Sequence, residues 1–366
     1  MDYRDFVERV KEQIKDFLPE KFSDAEVSIQ EVIKNNDCRL EGLCIKTRES
    51  NIIPTIYLNS YYDELKDGAK FEDILTAIAE CYQEHYVTRN LDIEKLQNYD
   101  QVKDKVICKL INKEANQDYL EDKSYTGLED LAVIYQILLE KRGDDIATVT
   151  VTSDLLERFG VSLEDLHEQA LKNTEVLQPH RLRGLNEVII DMMAGNIAKW
   201  EQISMDEARK KAAQRMPDEP EKMYVLTNDT NINGAATILN DTVRQEIAEK
   251  IGDFYVLPSS IHETLIVPKN AGLDAEQLGK IVKDVNRTQV AEPEILSDHV
   301  YEYDAKEHEL FRVDKTKERM NAREHREEKG ERHSLKDRLA EKKDKVVKVD
   351  FGNEDPTAVK KRQATL

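Results

Sequence analysis

The chain lacks what a membrane protein or a secreted protein needs. No apolar run in its 366 residues approaches the roughly 18 residues of a membrane-spanning helix. Its start, MDYRDFVERVKEQIKDFL, carries no uninterrupted apolar segment of the kind that directs export. Cysteine is sparse: Cys38, Cys44, Cys81 and Cys108, with no C-x-x-C pair, so neither a disulfide framework nor a zinc site is indicated. Reduced thiols and cytoplasmic residence are the expectation. Hydrophobic residues are few (39%) and charged ones many (35%), so the packed part must be smaller than the chain. The net charge of −20 argues against a body that binds nucleic acid or anionic lipid. Also missing are a Gly-x-Ser-x-Gly elbow, a phosphate-binding loop and a calcium-loop spacing.

What is present is periodicity. Phe6, Val10, Ile14 and Leu18 mark an amphipathic helix that Pro19 stops. Strands are predicted over 27–33, 43–46 and 52–58, with the Asn35, Asn36, Asp37 cluster as a turn between the first two. Phe71, Ile74, Ile78 and Tyr82 predict a helix over 70–88. Further on, 102–111 reads as a strand or short helix and 112–121 as helical. Residues 131–139 and 146–152 form a hairpin around Gly143, and 163–171 is a helix capped by Ser162. In 224–269 a short strand precedes an Asn-rich bend. A helix from Ala236 follows, with Leu239, Val243, Ile247 and Ile251 on one face and Gly252 at its end. The strands 254–257 and 264–267 come next, so the helix covers a strand pair. A helix over 275–285 and a hairpin of 300–303 with 310–313 complete the body. The fold class is α+β: mixed or antiparallel sheets covered by helices, with a disordered or helical charged C-terminal tail. Three parts are expected, 1–100, 101–314 and 315–366. The last has 16 Lys and Arg against 11 Asp and Glu, so the first 314 residues carry −25. With few apolar residues and no interleaved aromatics, the tail offers counterion release to nucleic acid but no stacking on bases.

Four segments read together are LAVIYQILL, SLEDLHEQALKNTEVLQP, YVLTNDTNINGAATILN and FYVLPSSIHETLIVP. They resemble a family of uncharacterised bacterial proteins, known only as a domain of unknown function and common on mobile elements of anaerobic Gram-positive bacteria. YtpQ-like proteins are more distantly similar. The resemblance brings no activity, so no catalytic residue is carried over.

Candidate site residues come from the sequence itself. Asn228, Asp229, Asn231, Asn233 and Gly234 precede a helix, where free N–H groups attract anions and carboxylate or amide oxygens suit a hard cation; helix capping and turn chemistry explain the same residues. Asn173 and Thr174 are read as closing a helix, with recognition as the second reading. His262 lies within a few positions of Ser259, Ser260 and Glu263, the residue types of nucleophilic catalysis, although neighbours along an extended turn point apart. No cofactor, metal or catalytic residue is expected. The missing catalytic signatures and the acidity point to a non-catalytic protein that acts through protein–protein contacts, and the resemblance implies an accessory protein of a mobile element. Imitation of nucleic acid by its acidic surface is a further expectation, and nucleic acid is reached only through 315–366. The alternative is a carboxylate-dependent hydrolase or nuclease drawing on 224–269.

Overall fold

The structure is a computed structural model that describes residues 1–88, 90–143, 145–216, 220–316 and 318–320. The predicted tail lies, beyond residue 320, outside the described residues. Helix α1 (Tyr3–Gln13) buries Phe6, Val7 and Val10. Strands β1 (Glu26–Ile33), β2 (Arg39–Lys46) and β3 (Thr55–Tyr57) form an antiparallel sheet in that order. Helix α2 (Asn59–Lys66) leads into α3 (Phe71–His85). The α3 residues Phe71, Ile74, Ile78 and Tyr82 recur every three or four positions and so share one face; with Phe6, Leu43 and Ile45 they make a core of their own.

The one-turn helices α4 (Ile93–Leu96) and α5 (Tyr99–Val102) lead to the second sheet. It contains β4 (Val106–Asn112), β5 (Thr126–Leu128), β6 (Leu131–Arg142) and β7 (Asp145–Thr150), with α6 (Gln117–Leu120) between the first two. β6 is central, pairing antiparallel with β4, β5 and β7. Residues 131–135 of β6 are apolar at every position, as burial on both faces requires: Leu131, Val133, Tyr135 and, further on, Ile137 join the main core, while Ala132 and Ile134 join Leu120 on the other side. Gly143 takes φ 58° at the hairpin turn, as its position in the sequence predicts.

Helices α7 (Ser153–Phe159) and α8 (Leu163–Leu177) follow, the second capped by Ser162, whose hydroxyl accepts from the Asp165 amide at 3.0 Å. Next come β8 (His180–Gly184), the helical pair α9 (Leu185–Glu201) and α10 (Met205–Ala213), and β9 (Tyr224–Asn228). Then follow α11 (Asp241–Ile251), β10 (Phe254–Leu257), β11 (Thr264–Pro268), α12 (Ala275–Thr288), β12 (Tyr301–Asp304) and β13 (Glu309–Arg312). The third sheet runs β13-β12-β10-β11-β9-β8 and is antiparallel throughout. On β10, Phe254 and Val256 enter the main core with Val243 and Ile247 of α11, whereas Leu257 packs with Leu278 and Val282 of α12. The predicted helix-on-strand-pair is there, with a second helix on the opposite face.

Three local expectations change. The helix expected from Ala236 divides into a 3₁₀ helix, Gly234–Leu239, and α11, separated by an extended Asn240. Arg244 makes this break inexpensive, because its guanidinium donates to the carbonyls of Ile238 and Leu239 at 2.7 Å each, groups that a continuous helix would have bonded itself. The helix expected over 112–121 shrinks to single turns, because Asn112 accepts from the Ala115 amide and Asn116 bonds back to the Asn112 carbonyl. Asn173 and Thr174 do not close α8, which continues to Leu177. Strands β5 and β8 are short and polar, and periodicity did not reveal them.

Candidate functional site

The loop 228–234 between β9 and the 3₁₀ helix is folded on itself. Asn228 is 1% exposed; its Nδ2 donates to the Ile232 carbonyl at 2.8 Å, and its Oδ1 accepts from the amide and hydroxyl of Thr230 at 3.1 Å each. Asn231 and Asn233 take left-handed φ values of 57° and 55°, which asparagine tolerates better than most residues. Gly234 is fixed by close approach. A Cβ there would lie 2.5 Å from the His262 carbonyl and 2.7 Å from the Asn228 nitrogen, with the Thr227 hydroxyl also in its way. That hydroxyl donates to the same His262 carbonyl at 2.8 Å, so β9, the loop and the segment before β11 form one seam.

One ring nitrogen of His262 is hydrogen-bonded. Nδ1 accepts from the Asn233 amide at 3.3 Å, which leaves the ring proton on Nε2, facing Glu294 at 3.6 Å. The Ser260 hydroxyl accepts from the His262 backbone amide at 3.1 Å and does not serve the ring. Partial burial holds the Glu263 carboxyl above the usual carboxylate range, with the adjacent His262 pulling the other way. A base for nucleophilic catalysis needs a free imidazole nitrogen against a hydroxyl, and this arrangement supplies neither.

Asp229 pairs with Lys141 at 2.5 Å, and the same lysine donates to the Leu177 carbonyl at the end of α8. Asp229 Oδ1 and both side-chain amide atoms of Gln178, which is 1% exposed, are buried without a hydrogen-bond partner among the described residues. Gln178 follows α8 directly, one turn past Asn173 and Thr174, and the 3₁₀ helix packs against α8. Two groups that the sequence suggested separately thus share a neighbourhood. Asn173 Nδ2 donates to the carbonyls of Lys103 (2.6 Å) and Val106 (2.8 Å), and the Thr174 hydroxyl accepts from the Cys108 amide and donates to Ala170. These bonds stitch α8 to β4 and occupy the groups that recognition would need.

Other acids are dispersed. Asp241 faces Arg244, Gln245 and Tyr303, and the buried Asp130 accepts from Ser297 at 2.6 Å and Tyr301 at 2.5 Å. Among the described residues no three His, Cys, Asp or Glu side chains gather to hold a metal ion, all four thiols are free, and no helix is long and apolar enough to cross a membrane. A concavity of about 360 Å³ lies away from the seam, lined by Gly279, Lys283, Asp298, His299, Val300 and Asp314 among others. One residue escaped sequence reasoning: Lys109, in the middle of β4. Burial and the nearby Lys34 pull its ammonium down to about 8. The signal was a single lysine inside the apolar run VICKLI.

The fold and this seam define an α+β protein of antiparallel sheets whose polar clusters serve mainly to join its elements. The chain belongs to the family of unknown function DUF5688, which it matches over residues 3–305. No curated protein and no solved structure matches it.

Proposed function

We propose that the protein is a non-catalytic binding protein acting through protein–protein contacts, as an accessory factor of a bacterial mobile element. The observation that carries this reading is the hairpin of α9 and α10. Its shared core is small, Ala194 and Ile197 against Ala208 and Ala212, yet α9 is apolar well beyond that face. Met192 (68%), Met205 (49%) and Trp200 (86%), the one tryptophan of the chain, stand exposed. A helix that is apolar on more than one side requires a cover, and exposed apolar groups of this size mark contact surfaces.

Charge favours a second copy of the chain as the occupant. Residues 185–216 hold five acids and five bases, in a body whose first 314 residues carry −25. A basic partner would gain most elsewhere on the acidic surface. Two acidic copies repel least where their surfaces are neutral. The expected division at residue 100 fits this reading, since the first sheet has its own core and leaves the hairpin to the later part. Cytoplasmic residence, imitation of nucleic acid by the acidic body, and contact with nucleic acid through 315–366 stand beside it as secondary proposals. A hydrolase or nuclease would need converging acids, whereas Asp229, Asp241 and Glu263 each face different partners.

Sedimentation velocity over a concentration series tests the reading, with Trp200 as its own fluorescent reporter. The expected result is a dimer whose tryptophan emission shifts to the blue on association, and a Trp200→Glu variant that stays monomeric with its melting temperature unchanged. A wild-type monomer at every concentration, with a solvent-like emission maximum throughout, would overturn it.

A further inference from the structure

Lys109 stands out from the other cations of this chain. It lies on the face of β4 between Ile107 (1% exposed) and Ile111 (0%), opposite Ile134 (0%) of β6. The side chain is itself part-buried, and among the described residues it makes no hydrogen bond or ion pair. In a chain with 74 acids, a lysine in that setting without a carboxylate is conspicuous. Its charged neighbour is a second cation. Lys34 directly precedes the turn 35–37 that packs against β4, and its own ammonium rests over the Tyr57 ring at 4.7 Å. Two unsatisfied acceptors belong to residues next to this pair: Gln136 Oε1, from the β6 residue opposite Ile107, and Asn35 Oδ1, from the residue after Lys34. A buried charge without a partner is costly, and a lysine beside another cation in apolar surroundings gives up its proton readily. An amine so placed is a nucleophile.

We propose that Lys109 captures small carbonyl compounds that carry an anionic group, forming an imine, with Lys34 as the counter-charge for the anion. The neutral amine of Lys109 attacks the carbonyl carbon to give a carbinolamine. Loss of water then forms the C=N bond, and no electrons are exchanged with a third party. The ammonium proton goes to solvent beforehand. This capture site is independent of the α9–α10 contact surface and is unaffected by whether the chain dimerises.

The test uses the full chain, glyoxylate as the anionic aldehyde, and cyanoborohydride to reduce the imine to a stable amine. Peptide mapping then gives the rate at each lysine near neutral pH. Lys109 is expected to lead the exposed lysines by about tenfold: its lowered proton affinity raises the free-amine fraction more than a hundredfold, and its weaker basicity returns part of that gain. Lys34→Met should slow capture of glyoxylate several-fold more than capture of propionaldehyde, which has no charge, and Lys34→Arg should restore the rate. Modification of Lys109 at the rate of the exposed lysines would overturn the proposal, because the stem would then be buried with its tip in free water. An equal response of both aldehydes to Lys34→Met would overturn the role given to Lys34. Wild-type modification alone decides the first point, so a variant that folds poorly does not leave it open.

Discussion

Two asparagine-rich turns in this protein share a chemistry and differ in use. Residues 35–37 and 228–234 each hold two non-glycine residues at left-handed φ: Asn36 (59°) and Asp37 (49°) in the first, Asn231 (57°) and Asn233 (55°) in the second. The first turn reaches outward. Asn35 donates to the Pro293 carbonyl at 2.6 Å, and Asn36 donates to Glu292 and Ile295. Asn36 also exchanges bonds with Asn116, while Asp37 accepts from the amides of Asp118 and Tyr119. These bonds clasp the β1–β2 hairpin to segments 80 to 259 residues away. The second turn bonds more within itself, Asn228 to Thr230 and Ile232, and reaches out through Asn233 to His262 and through Asp229 to Lys141 and Arg181. Left-handed asparagine is thus a local choice, whereas the address of its amide is set by what the fold brings within 3 Å.

The contrast can be broken experimentally, starting from its most sensitive point. Gly234→Ala should cost about 3 kcal/mol or more, because the added methyl meets backbone atoms of Asn228 and His262 that cannot move independently. Chemical denaturation measures this, and a loss below about 1 kcal/mol would mean that the seam is soft. Asn36→Ala is expected to cost about 2–3 kcal/mol, the sum of a strained left-handed alanine and several lost bonds. Hydrogen exchange should show its effect as faster opening of β1 and β2 relative to the third sheet. Asn231→Gly gives the smallest effect, a change within about 0.5–1 kcal/mol and in the stabilising direction, since that residue is exposed and only its φ matters. If Asn36→Ala and Asn231→Ala proved equally mild, the clasp would carry no more than the self-contained turn.

Much of the fold was legible because it rests on period and punctuation. The spacing of Phe71, Ile74 and Ile78 gave α3, Ser162 gave the start of α8, and the turn at Gly143 gave the β6–β7 hairpin. Where side chains compete with backbone the reading failed: Asn112 and Asn116 cut a helix to single turns, and Arg244 allowed a break after Leu239. The candidate site was half legible. The polar types at 228–234 and at 173–174 were evident, but the bonds that occupy Asn173 and Thr174 come from Lys103, Val106 and Cys108, some 65 to 70 residues away in the chain. Lys109 escaped notice although it is a lone lysine in an apolar strand, because its isolation depends on which face it occupies and on there being no acid paired with it among the described residues.

The sequence by itself determined most of the stretches that are helix and strand, that the sheets are covered by helices, and that the body is strongly acidic. These follow from local spacing and from composition, which tertiary context only adjusts. Tertiary structure alone decided that one asparagine turn clasps distant segments while the other bonds more within itself, that the His262 ring accepts from Asn233, and that Trp200 faces outward. Each of these depends on a neighbour remote in sequence, and a hydrogen bond or a buried contact exists only when folding supplies that neighbour.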